Sequence, residues 1–258
     1  MRSRLFGVLA LLLLISLPVV AADRVIQNGI DLWRTPADGR TFTDFSKDPI
    51  PAGFFCAGSA PFTGRIVFRG VPIATGEAGA LGRTDTIVQR LDDATFNKTG
   101  VAVTRVQVRA LQLEGVRPIK TSCGEFRVEA RLQGEQPITT MRIVRENANG
   151  GRYFVPLALN TKLVFTPVGR PAREILEMAQ NMRFPVREGL DWAAQPGLQT
   201  GVRRTGFVLV DTDGDRMPDT YLPGSSSNFF AGVSSRGAEM PTDPCHYTTS
   251  TAHCPDAG

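Results

Sequence analysis

The chain has 258 residues, 42% hydrophobic and 21% charged, a globular composition that rules out disorder over most of its length. Its formal charge of +4 is weak, and basic residues are interleaved with acidic ones, which excludes a nucleic-acid-binding surface of the usual basic kind.

Residues 1–22 read as a secretory leader: Arg2 and Arg4, an apolar run from Leu5 to Val20, then small residues at Ala21 and Ala22 where a signal peptidase cuts. Cleavage there starts the mature chain at Asp23 and lowers its charge to +2. The expected location is secreted or periplasmic, with no membrane contact after cleavage. An oxidising compartment turns cysteine pairs into disulfides. Four cysteines allow three pairings. Cys56 with Cys123 and Cys245 with Cys254 are favoured, because the second pair is close in sequence and lies in a polar tail. The same tail holds both histidines, His246 and His253, so a Cys2His2 zinc site is the alternative, at a spacing poorly suited to a zinc finger.

Residues 23–170 are expected to form an antiparallel β-sandwich. Short extended pieces joined by turns run from Gln27 to Trp33 and from Phe42 to Phe45. Residues 51–64, with Phe54, Phe55 and Cys56, resemble a segment of secreted bacterial proteins of unassigned function, a resemblance that implies no activity. From Gly64 to Leu163 the dominant period is two. Ile66 and Phe68 alternate with Val67 and Arg69, and Phe126, Val128, Ala130 and Leu132 with Arg127, Glu129 and Arg131. A slip between Val103 and Val106 predicts a bulge near Thr104 or Arg105. Met141–Arg145 and Arg152–Leu159 read as a hairpin turning through residues 147–151, and a further strand covers Lys162–Val168.

Residues 171–258 are expected to hold one short helix, a metal loop and a disulfide-bonded tail. Ile175, Met178, Ala179 and Met182 fall at i, i+3, i+4 and i+7, which predicts a helix over Pro171–Phe184, stopped by Pro185. The apolar run Phe207–Val210 then feeds Asp211, Asp213, Asp215 and Asp219, carboxylates at positions 1, 3, 5 and 9, with the Met217 carbonyl between them. That spacing lets several oxygens converge on one hard cation. The loop resembles the calcium loops of thrombospondin type 3 and FG-GAP repeats. The resemblance covers nine residues and implies calcium ligands at Asp211, Asp213, Asp215 and Asp219. Arg216 departs from the glycine usual in those loops, and Leu222 stands where an EF-hand places its bidentate Glu, which argues against an EF-hand.

Among enzymes, no Gly-x-Ser-x-Gly, His-Glu-x-x-His or phosphate-cradling loop is present, and no catalytic or cofactor-binding residue is assigned. The favoured reading is a secreted, non-catalytic calcium-binding sandwich, structural or surface-binding, whose partner is an extracellular polymer or protein. An aromatic groove drawn from Trp33, Tyr153, Trp192 or Phe229 would support it. One alternative is a secreted hydrolase using a carboxylate pair from Asp85, Asp92, Asp93, Glu114, Glu125, Glu129 or Glu146. The other is a metal-binding tail protein using His246 and His253.

Overall fold

Strands dominate because inward apolar and outward polar side chains alternate along most of the chain, the pattern a half-buried sheet requires. The structure, a computed structural model, describes residues 24–73, 81–169, 174–184, 189–195, 206–212, 217–232, 235 and 247–248. The expectations for the leader, for Asp213 and Asp215, and for Cys245, His246, His253 and Cys254 fall outside those residues.

The chain forms β1 (Val25–Ile26), β2 (Gly29–Trp33), β3 (Phe42–Asp44), β4 (Arg65–Gly70), β5 (Thr86–Arg90) and β6 (Ala94–Thr95). There follow β7 (Val101–Gly115), β8 (Ile119–Thr121), β9 (Gly124–Leu132), β10 (Ile138–Asn147), β11 (Gly150–Phe154) and β12 (Leu157–Pro167). The last six are β13 (Leu176–Phe184), β14 (Leu190–Ala193), β15 (Phe207–Val210), β16 (Thr220–Pro223), β17 (Phe230–Ala231) and β18 (Tyr247–Thr248). Apart from β18, which lies parallel to β3, every described pairing is antiparallel. The fold is mostly β and sandwich-like, with no closed barrel.

β7 is shared by both halves of the sandwich. Its first half pairs with β10 and β5, and its last residues pair with β9 and β4. One sheet therefore runs β2-β5-β7-β10-β11-β14-β17, and the other collects β3, β4, β9, β12 and β13. β13, β14 and β17, from the C-terminal third, extend sheets begun before Gly169. Met141, Ile143 and Trp192 from one half meet Phe126, Val128, Leu163 and Phe165 from the other in a single core. On the outer side of the first half, Val208, Val210 and Leu222 of the β15–β16 hairpin cover Ile30, Ile87 and Ala110.

β7 does carry a bulge, but at Arg109 rather than at Thr104 or Arg105. Ile87 faces Ala110 while Val88 faces Val108, leaving Arg109 unmatched, whereas the ladder to β10 runs unbroken from Gln107 to Val101. Val103 simply points outward, so Ala102, Thr104, Val106 and Val108 are in phase. After Arg109 the inward phase moves to Leu111 and Leu113. The hairpin expected from residues 141–159 forms, with Ala148 and Asn149 at its tip. Its second strand is divided at Val155 and Pro156, where the chain leaves β11 in one half for β12 in the other; proline lacks the N–H a continuous ladder needs.

The expected helix over Pro171–Phe184 is absent. Residues 176–184 are β13, paired with β12 from Phe184↔Leu157 to Leu176↔Phe165. The apolar positions fit both periods, because Leu176, Met178, Met182 and Phe184 also alternate. Two members of the helical stripe, Ile175 at 45% exposure and Ala179, face outward. The open edge of β12 decides between the periods, as tertiary pairing commonly overrides local preference.

Cys56 and Cys123 are disulfide-bonded, 67 residues apart in sequence, tying the turns before β4 to the turn between β8 and β9. The chain-entropy relation gives such a link about 4 kcal/mol of stabilisation. A second tie is buried. Arg90 donates to Asp31 at 3.1 Å with side-chain exposures of 0% and 1%, and to Ser226 Oγ at 3.0 Å and the Gln27 carbonyl. Its guanidinium also lies 4.5 Å above the Phe229 ring. From there an aromatic stack runs through Trp192 at 5.2 Å to Phe96 at 6.0 Å, and Arg145 caps the far end 3.9 Å from the Phe96 centroid. Removing one member of a buried ion pair strands the other, so Asp31→Ala should lower unfolding free energy by about 3–5 kcal/mol in urea titration. A loss below about 1 kcal/mol would show that Arg90 does not depend on this carboxylate.

Candidate functional site

The aromatic residues expected to line a groove are core instead: Trp33, Tyr153, Trp192 and Phe229 are all buried. Among the described residues the exposed aromatics are Phe207 at 77% and Tyr221 at 70%, on the outward face of the β15–β16 hairpin.

A concavity forms among the described residues where the end of β2, the end of β4 and the start of β5 meet. Arg34, Arg69 and Arg83 come to it from three separate segments, around a cavity of about 430 Å³ with Asp85 and Glu114 in its wall. Its frame is held by backbone bonds: Gly70 N–H to Thr35 O at 2.9 Å, Asp85 N–H to Trp33 O at 3.0 Å, and Val71 N–H to Gln112 O at 2.9 Å. A Cβ on Gly70 would stand 1.8 Å from Asp85 Oδ2, so only glycine lets β4 pass over that carboxylate.

Asp85 accepts from Thr35 N–H at 2.5 Å, Thr35 Oγ1 at 3.1 Å and Thr86 Oγ1 at 2.7 Å. Burial raises its carboxyl to about 6, even though these donors and the Arg34 charge favour the ionised form. With both oxygens facing donors, the Asp85 carboxylate ties the segment after β2 to the start of β5 rather than offering a proton to a ligand. Arg69 binds Glu114 Oε1 through Nη2 at 2.6 Å and Nε at 2.8 Å, a half-exposed pair. Arg83 is exposed and has no polar partner among the described residues.

A second cavity, of about 270 Å³, shares Val71, Pro72 and Glu114 with the first and continues it over the outer faces of β7 and β9. Gln112, Glu129, Arg131 and Asp211 line it. The two make one polar groove of mixed charge, with Arg34, Arg69 and Arg83 beside Asp85 and Glu114 in the first cavity and Arg131 paired with Glu129, near Asp211, in the second. Its arginines escaped sequence reading because they are scattered over fifty residues. The one local signal is the polar run Thr84-Asp85-Thr86 at the head of an apolar strand.

Asp211 is thus at the groove wall, buried to 4% exposure. The β15–β16 register ends at Val210↔Thr220, and Asp219 N–H donates to Val210 O at 3.3 Å, closing the loop at its base. Asp219 is exposed and accepts from Thr220 Oγ1 at 2.9 Å, while Met217 is exposed nearby. Asp211 and Asp219 are hard oxygen donors of the kind Ca2+ takes, at the two ends of the loop. Among the described residues, no three His, Cys, Asp or Glu side chains stand together as a metal centre. Leu222, at the position of an EF-hand's Glu, is buried under the hairpin.

Of the carboxylates weighed for hydrolysis, Asp85 and Glu114 share the first cavity and Glu114 and Glu129 the second. The others are occupied elsewhere: Asp92 with Arg105, Asp93 with the Asn28 N–H, Glu125 with Lys120 and Glu146 with Arg152.

Because burial lifts the folded Asp85 carboxyl from the ordinary 3.8 to about 6, the native state binds the extra proton between about pH 4 and 6. Its contribution is therefore most favourable below pH 4 and is lost as pH rises through 6. The stability difference between wild type and Asp85→Asn should shift by about 3 kcal/mol between pH 4 and 7 in urea titrations, against the wild type at the higher pH. A pH-independent difference would mean that Asp85 titrates normally.

Comparison of the chain with protein-family models, with curated proteins and with solved structures returns no match.

Proposed function

We propose that this chain is an exported, non-catalytic binding module in which Ca2+ at residues 211–219 stiffens a β-sandwich that recognises an extracellular polymer or protein. The observation that carries the reading is the position of Asp211, which is both the first carboxylate of the Asp-rich loop and part of the groove wall. A cation held there would fix that wall, coupling metal to ligand through one side chain. Three further features support it. The β15–β16 pairing brings the ends of the loop together at Val210 and Thr220. The Cys56–Cys123 bond suits an oxidising compartment, secreted or periplasmic, as does the leader-like start of the sequence.

Calcium that binds only the folded state raises stability by about 2.7 kcal/mol at a hundredfold excess over Kd. For a chain of this size that is a rise in Tm of about 5 °C or more. Melting with calcium and with chelator should show the rise in wild type and its loss in Asp213→Ala. An unchanged Tm in millimolar calcium would sink the metal reading.

The hydrolase alternative draws on Asp85 and Glu114 lining one cavity. It predicts glycoside turnover that Glu114→Gln abolishes, whereas a pure binding module shows none with either chain.

A further inference from the structure

β13 ends one of the two sheet halves, and its outer edge carries no ladder among the described residues. The alternation along β12 fixes which main-chain groups lie on that edge. Val168 N–H donates to Glu125 O and Gln133 N–H to Asn160 O, both at 2.9 Å, so the even-numbered residues of β12 bond toward β9. Thr161, Leu163 and Phe165 therefore bond toward Gln180, Met178 and Leu176. That alternation turns the N–H and C=O groups of Glu177, Ala179, Asn181 and Arg183 outward, and these four have no main-chain partner among the described residues.

Open strand edges are normally blunted by proline, a bulge, brevity or an inward-pointing charge, because they recruit another chain. β13 has none of these over its nine residues, and its ladder to β12 runs without a register shift. At the ends of the other sheet, Ile30 N–H of β2 donates to Gly224 O at 3.2 Å, and β17 has only two residues. β18, also two residues long, lies beside β13 but takes its ladder from β3.

The sequence of β13 is complementary to its own reversed copy. In the antiparallel register that overlaps all nine residues, centred on Gln180, the outward groups fall into bonded pairs: Glu177 with the partner's Arg183, and Ala179 with the partner's Asn181. Opposite charges then face each other at both ends of the junction, since symmetry repeats each pair. Glu177 already lies 3.4 Å from Lys162 Nζ in an exposed pair, so the incoming guanidinium joins that pair rather than meeting an isolated carboxylate. On the inner face Leu176 meets the partner's Phe184, and Met178 the partner's Met182. Leu176 and Met178 are only half-buried against the main core and gain cover. A shift of two residues in either direction loses both charge pairs.

We propose that a second copy of this chain adds its β13 to this edge, antiparallel, in the place that β18 holds by proximity alone, so that one sheet continues across a twofold axis. This goes beyond the binding-module reading and does not depend on it. A ribbon this narrow buries little surface, so the expected Kd is about 10–100 µM. Pairing presents every surface site twice, which raises avidity for a repeating polymer when both copies reach it.

The test is sedimentation equilibrium of the mature chain from about 1 to 500 µM, with hydrogen exchange read at the four outward amides. Mass should rise from one copy to two, and exchange at Glu177, Ala179, Asn181 and Arg183 should slow in step. Ala179→Pro removes an N–H that β12 does not use, so its circular dichroism in the dilute, single-copy range should match wild type while pairing is lost throughout. Arg183→Glu sets carboxylate against carboxylate and should raise Kd about tenfold or more. Combining it with Glu177→Arg should return Kd to within about threefold of wild type. Should Ala179→Pro fail to fold, the charge series decides alone. The proposal is overturned if the wild type stays a single copy throughout, if Ala179→Pro pairs as well as wild type, or if the exchanged charges fail to restore what Arg183→Glu removes. Slow exchange at the four amides in the single-copy form assigns the edge to a strand of the same chain and overturns it too.

Discussion

One strand has to satisfy partners on both edges in two halves of the molecule, and the sandwich depends on how β7 does so. A fifteen-residue strand of constant phase would keep one face toward the core throughout. The unmatched Arg109 lets β7 change phase, so that Val106 and Val108 serve the main core from its first half and Leu111 and Leu113 from its second. Ala110 is released to the smaller cluster under the β15–β16 hairpin. Where β7 passes from β10 to β9, Gln136 closes the opening: it accepts the Asn160 N–H at 3.0 Å and donates to the Asn160 carbonyl at 2.9 Å, and its own carbonyl accepts from Gln107 at 2.8 Å. On the other edge the same change of partner leaves room for the arginine-lined cavity. The groove is therefore a product of the strand hand-over rather than an ornament on a finished sheet.

Arg90 plays a complementary part at the opposite end of β5. It is charged and fully enclosed, and such a group is tolerated only with a close counter-charge and satisfied donors. Asp31, Ser226, Gln27 and the Phe229 face supply these from two segments far apart in sequence. Gly29 makes the approach feasible: at a φ of 152°, a Cβ there would lie 2.8 Å from the Gly224 carbonyl. The segment before β17 is thereby fastened to β2, beneath the stack of Phe229, Trp192 and Phe96.

The mostly-β character, the alternation of β4 and β9 and the Cys56–Cys123 bond were legible in the sequence, because each follows from local periodicity or from compartment chemistry. β13 was not, since Met178 and Met182 satisfy a period near 3.6 as well as one of two, and only the open edge of β12 chooses. The four aromatics singled out as surface candidates are buried because all of them pack into the main core, which residue type alone does not reveal. The strand Phe207–Val210 that leads into the Asp-rich loop was legible, whereas its partner β16 and the groove beside it were not. Its arginines carry no common motif, and their convergence is a consequence of pairing β2, β4, β5 and β7.

The shared strand also governs how the chain must reach its final form. β7 cannot complete either edge until segments from residue 65 to residue 147 have all arrived, so few stabilising contacts form early. Topologies dominated by such distant pairings fold in milliseconds to seconds rather than microseconds. During that interval apolar strands are open to mispairing, and the Arg127, Glu129 and Arg131 side chains alternating with the apolar face of β9 act as charged gatekeepers against aggregation.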